Sequence, residues 1–367
     1  MSRLVTLLGK LLKAKRKDIP VSVNKILIIR SGGLGDVLMT TPLISAIKRK
    51  YKKAKISYLV GKWSSIVLKN NPNINEILEF DDTLVFKKNV KELAKLIKKI
   101  RGMRFNMCFI LDKSYHWGLF AYLAGIPFRI AFDRKGEGFP NNLSVNFNGS
   151  KYELEYYMDI AELIGIKHAT REMQLFTVDK DKRKANAFFK KNNLENKVII
   201  GIVAGGAENP GQTMYEKRWP IDKYIGLVNV LEGNSKVIVL LFGGKNDANV
   251  NKQIKDNCIN KNHVLDVSNY GLHEAFELMK KCNLFITHDS GAMHLAGAAK
   301  VKLIALFGPT DPKRFAPKKA LVIKSPVAGC PCYNIYGNYD KNIAITCMPA
   351  ISVDSVYQLV KKVIKKV

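Results

Sequence analysis

Asp289, Ser290, Gly291 and His294 follow one another at spacings that suit an anion. The apolar run Asn283–Thr287 predicts a strand. It ends in the polar turn His288-Asp289-Ser290-Gly291, and the small residues beyond predict a helix. A second apolar run, Val301–Phe307, predicts the next strand. A strand entering a helix through a Ser-Gly turn leaves backbone N–H groups free at the positive end of the helix dipole, an arrangement that suits phosphate. His294 falls about one turn into that helix. Asp289 falls at the carboxyl end of the strand, where open α/β sheets bind ligands.

Three more turns have comparable chemistry. Ile26–Ile29 predicts a buried strand, followed by Ser31-Gly32-Gly33-Leu34-Gly35-Asp36. Gly32, Gly33 and Gly35 permit a close backbone approach. This turn lacks the Gly-Lys-Ser/Thr of a P-loop, and Leu38 stands where a dinucleotide fingerprint needs its third glycine. Asp36 is read either as a cap on the following helix or as a chemical group. The second turn, Ala204-Gly205-Gly206-Ala207, leads to Lys217-Arg218-Trp219-Pro220, where Lys217 is a point charge suited to a diphosphate or a solvated loop residue. The third, Gly243-Gly244-Lys245-Asn246-Asp247, offers Asp247 to ribose hydroxyls or to a helix N-terminus. Cys330, Cys332 and Cys347 are one ligand short of a closed zinc site, which favours a packed or oxidised loop over a metal.

The elements that must position these groups alternate. Strands are expected at Ile56–Val60, Glu76–Phe80, Phe105–Leu111, Arg129–Phe132, Lys197–Val203, Val237–Phe242 and Val264–Val267. Helices are expected at Lys62–Lys69, Asn89–Arg101, Tyr115–Ala124, 153–165, 181–193 and His273–Lys281. A helix running from the first turn to Lys50 carries Pro42, so a kink or late start is expected there. This alternation predicts βαβ units and parallel sheets. The valines at 353, 356, 360, 363 and 367 give a closing helix one apolar face, with Ser352 as its cap.

Composition narrows the class. The 367 residues suggest two domains, and 47% hydrophobic content describes a folded chain. Sixty basic residues against 31 acidic give a net charge of +29, pointing to nucleic acid, an anionic membrane, an acidic substrate or simple compositional bias. Basic residues are not interleaved with aromatics as a nucleic-acid reader requires, so no nucleic-acid partner is expected. Six scattered cysteines argue against a disulfide scaffold and for reduced thiols. No segment has the roughly 18–20 apolar residues of a spanning helix, and no secretory signal is evident. Leu4, Leu8, Leu11 and Leu12 recur at helical spacing among Arg3, Lys10, Lys13, Lys15, Arg16 and Lys17, the pattern of an interfacial helix or of an arm packed on its own protein.

Taken together, Ile28–Asp36, Lys217-Arg218-Trp219-Pro220, and Asp289–His294 with Phe307-Gly308-Pro309-Thr310-Asp311-Pro312 resemble glycosyltransferase family 9, the bacterial lipopolysaccharide heptosyltransferases. The resemblance runs from about residue 24 to the C-terminus. It implies an α/β GT-B fold, two Rossmann-like domains with parallel sheets facing across a cleft. The expected division is a basic N-terminal segment at 1–22, an acceptor-side domain at 23–185, a nucleotide-sugar domain at 186–350 and a C-terminal helix at 351–367 crossing back to the first domain. The implied activity is inverting transfer of heptose or a related sugar from an ADP-sugar, without metal or cofactor. The implied acceptor is an anionic lipid or lipopolysaccharide core at the inner face of the cytoplasmic membrane. The family's base falls on Asp36, in the acceptor-side loop with Gly32, Gly33 and Gly35. Its donor-binding positions fall on Lys217, Asp289, Ser290, Gly291 and His294, with Asp247 near a ribose-binding glutamate. Two alternatives stand beside this reading: another GT-B enzyme such as a nucleotide-sugar epimerase, and a non-catalytic nucleotide-sugar or nucleic-acid binder.

Overall fold

In the computed structural model, residues 14–86 and 89–364 are described. The expected amphipathic N-terminal helix falls largely on residues 1–13, outside them. The chain forms two compact units: residues to Gln174 together with Asn209–Gly211, and Leu175–Glu208 with the chain from Gln212 onward.

The first unit holds strands β1 (Lys25–Ile29), β2 (Lys55–Gly61), β3 (Glu76–Phe80), β4 (Met107–Ile110), β5 (Phe128–Asp133) and β6 (Leu143–Asn146). They pair in the order β3-β2-β1-β4-β5-β6, all parallel. Central β1 is apolar because both its faces are covered. The expected helix through Pro42 is two helices, Leu34–Leu38 and Thr41–Lys50, with Pro42 in the first turn of the second. There the missing N–H costs no helical bond. β6 escapes the sequence pattern because it is a four-residue edge strand, only partly buried.

The second unit holds β7 (Val198–Val203), β9 (Gln212–Thr213), β10 (Val237–Phe242), β11 (Val264–Asp266), β12 (Leu284–His288), β13 (Leu303–Phe307) and β14 (Leu321–Lys324), while β8 (Glu208–Asn209), which pairs with β9, is divided between the two units. Its main sheet runs β11-β10-β7-β12-β13-β14, again all parallel. Both six-stranded sheets therefore start in the middle, wind to one edge, then return and wind to the other. Where the order reverses, between β1 and β4 and between β7 and β12, neighbouring crossovers leave on opposite faces and open a crevice at the strands' carboxyl ends.

Two expectations about organisation change. The division falls at Gln174/Leu175, so the helix Asp179–Lys191 belongs to the second unit, where it packs on the helix Leu272–Met279. The C-terminal helix Val353–Ile364 also belongs there. Its valines 356, 360 and 363 join the core that covers β7 and β10, packing against the helix Ile221–Leu231. Burying the apolar face of a helix is worth roughly 1.5–3 kcal/mol for each large side chain, and this core is the surface that takes it. Ser352 Oγ accepts from the Ser355 N–H at 3.1 Å, the expected capping contact.

Candidate active site

The reversal point of the first sheet collects charge. Arg30, just past β1, is buried. Its Nη2 donates to Asp36 Oδ1 at 2.6 Å and its Nη1 reaches Asp112 Oδ2 at 3.3 Å. Its Nε donates to Tyr157 Oη at 3.2 Å. Ser31 Oγ donates to Asp112, and Lys113 pairs with Glu153 at 2.6 Å. Burial alone would lower the Arg30 guanidinium. Asp36, Tyr157, Asp112 and Glu153 outweigh it and hold the group well above its usual value. Burial likewise pushes the Tyr157 phenol up.

Asp36 is the third residue of the helix Leu34–Leu38, and Gly33 occupies the cap position. Asp36 Oδ2 accepts the Gly33 N–H at 3.0 Å. The two readings of Asp36 are thus joined: it caps the turn from within, and about a third of its side chain stays open. Gly32 has φ +112°, and a Cβ there would lie 2.8 Å from Asp36 Oδ2. Glycine is needed for both the backbone angle and the space. Gly35 is buried inside the helix. Arg30 and Asp112 were missed by the motif reading. Arg30 stood inside the quoted stretch, but nothing local says that β4 would bring Asp112 beside it.

The reversal point of the second sheet gathers Asp289, Ser290, Gly291 and His294 after β12, as the spacing predicts. Lys217 joins them: its Nζ lies 2.9 Å from Asp289 Oδ2 and 5.6 Å from the centre of the Tyr333 ring. Phe315 lies on the same ammonium at 5.8 Å. Asp289 is 5% exposed. Burial would raise its carboxyl, but Lys217, then His294 and a bond from Thr310, hold it below the usual carboxylate range. Ser290 stands at the N-cap position of the helix Gly291–Ala299 without a side-chain capping bond, and the helix's first N–H groups open toward the crevice end of β12. Gly206, with φ +83°, brings its turn against Ser290: a Cβ there would lie 3.6 Å from the serine Cβ.

Of the two parts offered for Asp247, the structure shows the one at a helix N-terminus, where its side chain accepts from the cap residue Gly244. It is buried, and its two oxygens accept the N–H groups of Gly206 at 2.7 Å and Gly244 at 2.8 Å. It ties the two glycine turns together. Arg218 supports the same turn, donating through Nε and Nη2 to the Gly206 carbonyl at 2.8 and 2.6 Å. His288 is fully buried and its pKa is pushed down to about 3, burial being the main cause. Tyr224 Oη donates to the Val203 carbonyl, so at 3.2 Å it accepts from His288 Nδ1.

Cys330 and Cys347 are disulfide-bonded, the oxidised loop offered for these cysteines but against the general expectation of reduced thiols. The helix Lys341–Cys347 packs Cys347 under the Gly308 turn and so brings it to Cys330, while Cys332 keeps a free thiol. Cys332 and Tyr333 donate their backbone N–H groups to the Pro309 carbonyl, both at 2.9 Å. This holds the Tyr333 ring on Lys217. Among the described residues no group of three or more His, Cys, Asp and Glu side chains is placed to hold a metal ion.

Two doubly wound units in one chain, each with its charged groups at the sheet's reversal point, define an enzyme of the GT-B glycosyltransferase class. The comparisons agree. Glycosyltransferase family 9 from Veillonella parvula DSM 2008 superposes with a TM-score of 0.78 at 20% identity, covering 96% of this chain and 100% of that one. The E. coli ADP-heptose LPS heptosyltransferase II superposes at 0.71 with 24% identity, covering 93% and 99%. Lipopolysaccharide heptosyltransferase 2 of Salmonella typhimurium LT2 is 27% identical over 320 residues, 82% of this chain and 88% of that protein. The model of glycosyltransferase family 9 (heptosyltransferase) matches residues 93–333, and the chain belongs to that family.

Proposed function

We propose that this protein transfers heptose from ADP-heptose to a lipopolysaccharide core acceptor, with inversion at the anomeric carbon. The observation that carries this reading is the Lys217–Asp289 pair at the mouth of the helix Gly291–Ala299. The similar proteins named for ADP-heptose and lipopolysaccharide supply the substrates.

Departure of the sugar builds negative charge on the diphosphate. Lys217, the first N–H groups of the helix and His294 meet that charge. Asp289 is itself an anion and does not bind phosphate. It holds Lys217 in place, with Tyr333 and Phe315 fixing the ammonium from the other side. Held there, Lys217 is preorganised for the charge that develops on the diphosphate, so its pull is stronger in the transition state than before it. Because these groups supply the positive charge, the reaction runs without a metal. Asp247 and Arg218 position the glycine turn against Ser290.

Asp36 accepts the proton of the acceptor hydroxyl as the new bond forms. Arg30 and Gly33 aim its carboxylate and compete with its basicity, so proton transfer comes late, when the hydroxyl has become acidic. The acceptor is a lipid at the inner face of the cytoplasmic membrane, and the enzyme binds that surface peripherally. No described helix is long and apolar enough to cross it.

Thermal stabilisation by ADP-, UDP- and GDP-sugars tests the donor: ADP-heptose should raise the melting temperature most, because a ligand that binds the native state stabilises it. Equal shifts by UDP-sugars overturn the donor assignment. Product analysis with and without acceptor separates transfer from epimerisation, and undiminished turnover after chelation by EDTA supports the metal-free route.

A further inference from the structure

The helix Val90–Met103 is held on the first sheet by Ile100 in its core, with Leu96, Ile97 and Met103 packed beside it. Everything else on it faces water. Lys91, Lys95, Lys98, Lys99 and Arg101 are exposed, against one acid, Glu92. Two apolar side chains stand among them: Val90, 74% exposed, and Leu93. A solvated helix face does not need these. Burying them needs an apolar partner, and the surrounding lysines require that partner to be anionic.

The patch continues beyond the helix. The Arg101 guanidinium donates to the Leu123 carbonyl and so joins this helix to the end of Tyr115–Leu123. There Tyr122 and Leu123 are also exposed, with the Arg129 guanidinium 5.3 Å from the centre of the Tyr122 ring. A recess of about 390 Å³ opens at this junction, lined by Arg101, Arg104, Phe105, Asn106, Ala124 and Gly125. Two residues further on, the Pro127 carbonyl accepts from Lys17 Nζ at 3.2 Å. The chain is fastened here by Ala14 N–H on the Phe139 carbonyl and by Asn142 on the Lys15 carbonyl. Lys15, Arg16 and Lys17 are exposed.

We propose that this face of the first unit is its docking surface for an anionic lipid bilayer. The lysines and arginines meet lipid phosphates, while Val90, Leu93, Tyr122 and Leu123 enter the boundary between headgroups and acyl chains. The recess under Arg101 and Arg104 suits a single phosphate headgroup. Nucleic acid would use the charge and leave the apolar side chains unpaid. The proposal rests on the peripheral-membrane reading above and assigns it to named residues.

The test is flotation of the full chain with vesicles of phosphatidylglycerol and phosphatidylethanolamine, and with phosphatidylcholine alone. Wild type is expected to float with the anionic vesicles only. The triple variant Lys95→Glu, Lys98→Glu, Lys99→Glu is expected to need at least tenfold more lipid. A control with the same charge change on the second unit, Lys190→Glu, Lys191→Glu, Lys236→Glu, is expected to stay within twofold. At high salt, Leu93→Ser with Leu123→Ser should remove the residual binding. Transfer to a soluble, deacylated acceptor should not change in the triple variant, which also shows that it is folded. A triple variant that floats like wild type overturns the surface and leaves peripheral binding standing. Wild type that floats with no vesicle overturns both. Equal losses in the control, or tighter binding to double-stranded DNA than to vesicles, reduce the patch to general charge and overturn the assignment.

Discussion

Arg30 Nη2 lies 2.6 Å from Asp36 Oδ1, so the residue proposed as base is aimed by a buried guanidinium that also reaches Asp112 at 3.3 Å. Removing the cation leaves the partly buried Asp112 without it, and Asp36 without its guide. Arg30→Met should destabilise the protein by about 3 kcal/mol, the low end for a buried pair, because Asp36 is partly open to water. Urea unfolding measures this. Turnover should fall while ADP affinity stays unchanged; retained turnover would show that Arg30 does not orient Asp36.

Asp36→Asn keeps the shape of the carboxylate and removes its capacity to take a proton. Transfer should drop by about 10²-fold or more. Binding of ADP, measured by calorimetry, should be unaltered. Equal losses in kcat and in donor affinity would place Asp36 in binding instead.

Lys217→Met should weaken the donor and also leave the buried Asp289 with His294 and Thr310 but without its ammonium partner. The expected stability loss is about 3–5 kcal/mol. Adding Asp289→Asn should restore most of the stability and none of the donor affinity. Full recovery of affinity in the double variant would contradict the phosphate role of Lys217.

Acid should destabilise the second unit in two steps. His288 titrates at about 3 in the fold, well below its ordinary 6.5. Between those values the unfolded chain binds the proton and the native one does not. The stability from neutral His288 is therefore complete above pH 6.5 and drains as pH falls toward 3, at roughly 1 kcal/mol per pH unit. Asp289, held below its ordinary 3.8, adds a loss only below that pH. Urea midpoints between pH 7 and 4 should show the first slope, and His288→Gln should flatten it.

Trp219 Nε1 donates to the Ile351 carbonyl at 3.0 Å, just before the C-terminal helix. Lys223 Nζ reaches the same carbonyl at 2.9 Å. Trp219→Phe should therefore cost only about 1 kcal/mol, since the acceptor keeps a partner, whereas Trp219→Ala should cost about 3–5 kcal/mol through the cavity. Thermal melts of the two variants distinguish packing from hydrogen bonding as the anchor of this helix.

Local patterns were legible because they depend on near neighbours. Ile26–Ile29 reads as a buried strand from its own side chains, Pro42 predicts a kink or a late helix start, and Asp289–His294 reads as a strand-to-helix turn. Glycines at 32 and 206 mark turns, and both take a positive φ in the structure. Short edge strands such as β6 and β14 carry too little apolar pattern to be read this way.

Long-range placement was decided by the tertiary structure. Strand order puts β4 beside β1 and β12 beside β7, and only that order brings Asp112 to Arg30 and the Gly206 turn to Ser290. Lys217 acquires its meaning from Asp289, Tyr333 and Phe315, which lie far away along the chain. The valine face of the last helix is plain in the amino-acid order, but any apolar surface satisfies such a face. The core around Trp219 and Tyr224 takes it, and so places the helix in the second unit. Side-chain type and spacing determine which elements form and which chemistry they can carry. Which of those groups meet depends on sheet order and packing, free-energy terms that no short stretch of chain contains.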